Sequence, residues 1–375
     1  MAWGRSGVRV PLGPLKKMNS RKSNFELLRI VSIACIILYH SVWHSGVGYL
    51  GLNFNKILVD FLDMFGQLGV NCFMLISGYF LLESNFKWIK VIRISLEASF
   101  YILLGILCLK IFGDSTGIAI GWWLPKALFP ILKEAYWFLT VYVLVYIFSP
   151  ILKKTISVLS KKQLTMFLGL SLFVWSVWPT FLGLFTNETE GYVFYNRFIW
   201  GVIMFFLGAY IRKFVPKIFS KLKNTVFLFL ISTGLILLPI FVINFFNIDI
   251  SANYFWRPNS ILMLIWSVSL FLLFRNWELK ENKLINLLAS TTLGIYLFHD
   301  GPIRYWLWLD IFKIRNYANL NYFGFYLLVV TVTIFLVGFG IDIGRKFLEK
   351  VFLDKFFDRI KIQKLLEKID SYEEK

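Results

Sequence analysis

Along most of this chain, apolar runs of about twenty residues alternate with short polar, basic connections. Ten such segments are legible, at roughly 25–43, 57–82, 94–112, 136–152, 164–183, 198–211, 224–246, 257–274, 287–309 and 322–344. A helix of about 20 residues rises roughly 30 Å, the thickness of a bilayer's hydrocarbon core. The pattern therefore predicts an all-α, polytopic transmembrane helical bundle of about ten spans. The sixth segment is short, and Gly301 with Pro302 lies inside the ninth, where a kink or a helix end is expected. After the last segment, residues 345–375 repeat apolar positions at three- and four-residue spacing with Lys and Arg between them, the pattern of a basic amphipathic helix on the cytosolic face. Residues 1–24 are a polar N-terminal segment; within it 1–17 show no hydrophobic period and are a candidate start-site artefact, since Met18 offers an ordinary beginning. The expected organisation is one membrane domain, 25–344, between two cytosolic ends.

Composition agrees: 58% of residues are hydrophobic, 19% are aromatic and the mean hydropathy is +0.66, far outside the soluble range. The net charge of +18 would suit a nucleic-acid binder, but the basic residues sit in short clusters between apolar runs. Placing the N-terminus in the cytosol assigns 30 of the 40 Lys and Arg to the inner side and 9 to the outer, with Arg29 inside a span. That asymmetry is the positive-inside pattern, so both termini are expected in the cytosol and the charge is read as topology, with no nucleic-acid partner. Cys35, Cys72 and Cys108 are isolated within apolar segments and offer neither a disulfide framework nor a metal spacing.

The first span, FELLRIVSIACIILYHSVW, carries Arg29 and His40. A charge at bilayer depth costs roughly 2.5–3.5 kcal/mol even on lenient insertion scales, so a chain that keeps one normally uses it. Eleven residues is close to three helical turns, which sets both side chains on one face roughly 16 Å apart. A snorkelling arginine and a histidine hydrogen-bonded between helices would fit the same spacing. The second span ends with Ser77 and Gly78 near the cytosolic end, where glycine permits close helix approach, and the following KVIR puts Lys90 and Arg93 on one helix face as a clamp for phosphate groups or as plain positive-inside charge. In the ninth segment IYLFH brings Tyr296 and His299 to a depth similar to that of His40, where His299 could orient His40, contact substrate, or serve only as a capping or packing residue beside Asp300. His44, past the end of the first apolar run, is expected to be solvated. There is no GxxxxGK[ST] and no Asp-x-Asp pair, and no bound metal is expected. The GxSxG match at 113–117 lies in a connection between spans, where no strand-to-helix elbow exists, and the sequon at 187–189 is external.

Arg29 with His40 ten residues beyond it, FMLISG at 73–78, KVIR at 90–93 and IYLFH at 295–299 together resemble the acyltransferase-3 family of integral-membrane O-acyltransferases, over about 25–345. Members of that family acetylate bacterial cell-envelope polysaccharides and related glycans or small molecules from acetyl-CoA. The resemblance implies that His40 and Arg29 are catalytic, that Lys90, Arg93, Ser77 and Gly78 bind the coenzyme, and that Tyr296 and His299 orient or contact substrate. It implies acetyl-CoA or another acyl-CoA as co-substrate with no tightly bound cofactor, a polysaccharide or glycan acceptor, and residence in the bacterial cytoplasmic membrane. Met74 stands where the family has an aromatic residue, and Lys90 where it has an arginine. From the residues alone, a non-enzymatic flippase or transporter of lipid-linked glycan or small molecules is the alternative; it would line one continuous cavity with polar groups from several spans, whereas here the intramembrane charge is concentrated in one helix.

In a cysteine-free background, single cysteines at Thr189 and Lys161 are expected to react from opposite sides with a membrane-impermeant thiol reagent, the first from outside. Equal labelling of both in intact cells would contradict the charge-derived orientation.

Overall fold

The computed structural model describes residues 22–49, 55–113, 120–185, 195–246, 255 and 257–353, and among them the secondary structure is helical with no strand. The helices are α1 (Ser23–Ser45), α2 (Lys56–Asp63), α3 (Phe65–Leu81), α4 (Trp88–Phe112), α5 (Ile120–Leu128), α6 (Trp137–Val158), α7 (Lys161–Leu172), α8 (Trp178–Phe185), α9 (Arg197–Phe214), α10 (Leu222–Phe246), α11 (Ile261–Asn276), α12 (Lys283–Ala289), α13 (Thr292–His299), α14 (Ile314–Tyr317) and α15 (Phe323–Leu348). Local chemistry sets several of these ends. Ser160 and Gln163 form a reciprocal capping box on α7, Asn196 and Asn282 each accept two backbone N–H groups at the starts of α9 and α12, and Gly46, in the left-handed region at φ 67°, closes α1.

Among the described residues seven helical stretches are long and apolar enough to cross a membrane: α1, α2 with α3, α4, α6, α7 continuing into α8, α10, and α15 with its extension to Phe352. The other three of the ten apolar segments are helical but fall short for separate reasons. α9 carries Arg197, Arg212 and Lys213 within 18 residues, and α11 is 16 residues long. The ninth segment is broken into α12 and α13, and α13 stops at His299 because Pro302 has no N–H to continue the ladder. The start of the expected amphipathic tail is continuous with α15 up to Leu348, and 354–375 lie outside the described residues, as do 1–21 and the sequon.

α1 is the centre of the bundle. It packs against α2, α3, α11, α12, α13 and α15, and 61% of its apolar window is buried, against 17% for the peripheral α10. Two hydrophobic clusters meet on it. Phe25, Leu28 and Cys35 join the cluster built with α3, α9 and α11, while Ile33, Ile36, Ile37 and Val42 join the one built with α4, α6, α13 and α15. Lipid tails are as apolar as these side chains, so polar bonds and close packing must add specificity. Buried Asn71 supplies one such joint: its Nδ2 donates to the Pro258 carbonyl at 3.0 Å, and its Oδ1 accepts from Trp200 Nε1 at 2.9 Å, tying α3 to α9 and to the entry of α11. Asn24 Nδ2 donates to the Phe274 carbonyl at 2.9 Å and ties α1 to α11.

At the end of the bundle where α1 begins, Arg345 binds Asp342 (2.7 Å), Glu349 (2.8 Å) and Glu97 (3.2 Å), and Glu349 also holds Arg93 at 2.6 Å. This network joins α4 to α15 and satisfies charges that would otherwise be costly at the membrane boundary.

α3 and α9 cross at close range on paired glycines. A Cβ on Gly78 would lie 2.2 Å from the Phe205 carbonyl oxygen, and one on Gly208 would lie 2.4 Å from that of Leu75. Both obstacles are backbone, so neither can rotate away. Gly78→Ala is expected to lower the thermal midpoint of the detergent-purified protein, the overpacking costing about 1–3 kcal/mol or more. Gly169→Ala, with nothing within 4 Å of the added carbon, is the control. Equal midpoints for the two variants would contradict the crossing.

Candidate active site

Arg29, Ile33, Ile36 and His40 recur at spacings of four, three and four residues and line one stripe of α1, as the eleven-residue separation of the two polar groups requires. Two cavities lie along this stripe, an inner one toward the end of the bundle where α1 begins and an outer one toward the end where α1 stops. The inner one, about 750 Å³, is lined by Arg29, Ser77, Tyr142, Lys283, Asn286, Ser290 and Lys346 among apolar residues, with no carboxylate in its lining. The outer one, about 860 Å³, is lined by His40, His44, Asp300 and Arg304, by Asp63, Glu134, Arg197 and Arg257, and by aromatic rings including Tyr39, Trp43 and Trp137. Three residues line both: Ile36, Phe138 and Tyr296. They form the septum between the cavities, with the Tyr296 ring edge-on to Phe138 at 5.9 Å and 6.4 Å from the His40 ring. The Tyr296 hydroxyl is buried and, among the described residues, meets no partner at full hydrogen-bond geometry.

His40 sits immediately on the outer side of this septum, and the partner of its ring fixes its chemistry. His40 Nδ1 and His299 Nε2 are 3.0 Å apart, and His299 Nδ1 lies 2.6 Å from the Ile295 carbonyl. A carbonyl only accepts, so His299 Nδ1 carries hydrogen; in the neutral ring its Nε2 is then an acceptor, and His40 Nδ1 must donate to it. Neutral His40 is left with the lone pair on Nε2. α13 places His299 by a local bond within its own last turn, and the chain break at Asp300 brings a carboxylate up beside α1.

His44 is not solvated. α1 runs one residue beyond it, its side chain is 10% exposed, and its Nε2 is 3.1 Å from Asp300 Oδ1. Asp300 in turn lies 3.8 Å from Arg304 Nη1. The apolar run in the sequence ends before the helix does, because Ser45 and Gly46, not hydrophobicity, set the stop.

The inner groups divide differently from the expectation. Arg29 lines the cavity, two-thirds buried, with Glu26 3.1 Å from its Nη1. Ser77 lines it too, its hydroxyl donating back to the Phe73 carbonyl at 2.8 Å. Gly78 faces Phe205 of α9, and Lys90 and Arg93 line neither cavity: Lys90 Nζ is 5.6 Å from the Tyr146 ring centroid and Arg93 is held by Glu349. The cations that do line the inner cavity beside Arg29 are Lys283 and Lys346. Lys346 is aimed by Asp342 at 2.9 Å and by the Ser290 carbonyl at 2.7 Å. In the sequence both lysines are indistinguishable from other positive-inside charge; only the break between α12 and α13, which exposes the Ser290 carbonyl, separates them.

A family model described as an acyltransferase domain matches residues 22–339. No curated protein and no solved structure matches the chain. The match covers α1 through most of α15 and so includes the stripe, the septum and, but for Lys346, the lining of both cavities: the chain belongs to the acyltransferase-3 family and is a multi-pass membrane acyltransferase.

Proposed function

We propose that this protein moves an acetyl or other short acyl group from acyl-CoA in the cytosol to a hydroxyl of a cell-envelope polysaccharide or related glycan on the other side of the membrane, with His40 as the general base. The observation that carries this reading is the meeting of two opposed cavities at Ile36, Phe138 and Tyr296, with the lone pair of a buried imidazole next to the meeting point. The inner cavity suits the donor. Its three cations and absence of carboxylates favour a phosphate-bearing headgroup, and its size is within the roughly 300–1,000 Å³ usual for small-molecule sites. The outer cavity balances Asp63, Glu134 and Asp300 against Arg197, Arg257 and Arg304 and is walled by aromatic rings, a surface suited to a hydroxylated, uncharged acceptor. Cytosolic termini, as the excess of Lys and Arg on one side predicts, would put the cationic cavity on the side where coenzyme A is found.

In the reaction the acceptor hydroxyl oxygen attacks the thioester carbonyl carbon while its proton passes to His40 Nε2. The carbon–sulfur bond then breaks, the coenzyme thiolate takes that proton from His40, and the ester leaves outward. His299 supports both steps: by accepting from His40 Nδ1 it keeps the lone pair on Nε2, and it remains the partner of the imidazolium that forms. The buried Tyr296 hydroxyl is available to the thioester carbonyl at the septum. Arg29 holds the donor's anionic end at the inner mouth.

His40→Gln keeps volume and hydrogen bonding but cannot exchange a proton near neutral pH, so it is expected to lower transfer of labelled acetyl into envelope material by about 10²–10⁴ in membranes matched for protein level. Retention of more than about a tenth of wild-type transfer would return His40 to a packing role. A separate kinetic prediction concerns the donor's headgroup. Lys283→Gln is expected to raise the donor KM several-fold with little change in kcat, because ground state and transition state share that contact, whereas Lys90→Gln leaves the donor KM unchanged. The reverse pattern would move the headgroup to the start of α4.

A further inference from the structure

The acyl-transfer reading gives His44 and Asp300 no step of their own, although both line the outer cavity beside His40, Asp300 buried and the His44 side chain 10% exposed. We propose that His40, His44 and Asp300 form a binding site for a divalent transition metal of the zinc class. A ring nitrogen from each histidine and a carboxylate oxygen of Asp300 all lie within 4.8 Å of one another. The two histidines are four residues apart on one helix, the spacing that lets a single helix face present two imidazoles to one ion. Asp300, the residue that closes α13, supplies the third ligand from a different element. Two histidines and a carboxylate, with the remaining positions open to water, is a ligand set used by zinc and related metals.

The distances already approach coordination. Two atoms each about 2.1 Å from a metal are about 3.0 Å apart at a right angle and about 3.4 Å apart at the tetrahedral angle. His44 Nε2 and Asp300 Oδ1 are separated by 3.1 Å, so an ion can replace the proton they share with little movement. His40 completes the set by closing toward them, since one of its ring nitrogens lies within 4.8 Å of both other ligand atoms. Its Nδ1 is engaged by His299, which leaves Nε2 as the ligand and gives it the outer-shell partner that metal-bound histidines characteristically have. The cavity provides the entry path and the water.

One charge opposes the ion. Arg304 Nη1 lies 3.8 Å from Asp300 Oδ1 and competes for the same carboxylate. Arg304 therefore limits affinity, which gives the proposal two tests of opposite sign. Occupancy also has a consequence that rests on the acyl-transfer reading: the ion takes the His40 lone pair that the base requires, so metal added from the outer face inhibits transfer.

The experiment uses the full-length protein in detergent, stripped with a chelator and titrated with Co²⁺ by visible absorption, then with Zn²⁺ by displacement of the cobalt. One equivalent is expected to bind. His44→Gln is expected to weaken binding at least tenfold, and Arg304→Gln to tighten it several-fold. Absence of a stoichiometric cobalt spectrum, or affinities in which neither variant departs from wild type, would overturn the site. If His44→Gln fails to fold, Arg304→Gln alone decides, because a site elsewhere would not tighten. Binding that is lost in His44→Gln while Zn²⁺ leaves wild-type transfer untouched would uphold the site and contradict the base role of His40 instead.

Discussion

The hydrogen bond between His40 and His299 is the constraint around which the rest is arranged. A buried imidazole pair is stable between helices only if each ring has a defined donor and acceptor, and the chain meets this by ending α13 at His299, so that the Ile295 carbonyl fixes one ring and that ring fixes the other. The end of α13 then leaves Asp300 beside α1, where it meets His44, while Pro302 and Gly301 turn the chain away. The same contact requires α1 and α13 to pack closely, which sets Tyr296 against Phe138 and so forms the septum between the cavities. Helix stops set by Pro302 and Gly46 therefore determine which polar side chains face the cavities.

A second set of polar contacts does comparable work at the inner end. Arg345 gathers Asp342, Glu97 and Glu349, and the last of these captures Arg93. An arginine held this way keeps α4 against α15, and its charge is neutralised within the protein. Lys346, one residue along α15, instead reaches the Ser290 carbonyl freed by the break between α12 and α13 and lies at the cavity wall. Adjacent basic residues thus part company, one structural and the other facing the inner cavity.

Much of this was legible in the sequence and some of it was not, for reasons that residues make plain. The helical class follows from apolar length, and the shared face of Arg29 and His40 follows from helical periodicity, because both are local. The similar depth of His40 and His299 could be counted from the ends of their segments, but not their 3.0 Å contact, which depends on how α1 and α13 pack. Spacing puts Lys90 and Arg93 on one face, as a phosphate clamp or as positive-inside charge, but does not show what that face meets: Glu349, bonded to Arg93, is 256 positions away. His44 was misread because hydropathy fades before α1 ends, and its partner Asp300 is equally remote in sequence. Seven rather than ten stretches meet the length and composition of a span among the described residues, since charge in α9, brevity in α11 and the break before α13 each offset an apolar run.

The central claim is that donor and acceptor approach His40 from opposite sides of the membrane. Sealed membrane vesicles of the two orientations, each enclosing or displaying envelope glycan and supplied only externally with labelled acetyl-CoA, test it most directly. The account predicts transfer in inside-out vesicles, with the label recovered in glycan protected inside the lumen, and its absence in intact right-side-out vesicles. Equal transfer in both orientations, or label confined to glycan on the same face as the coenzyme, would contradict it.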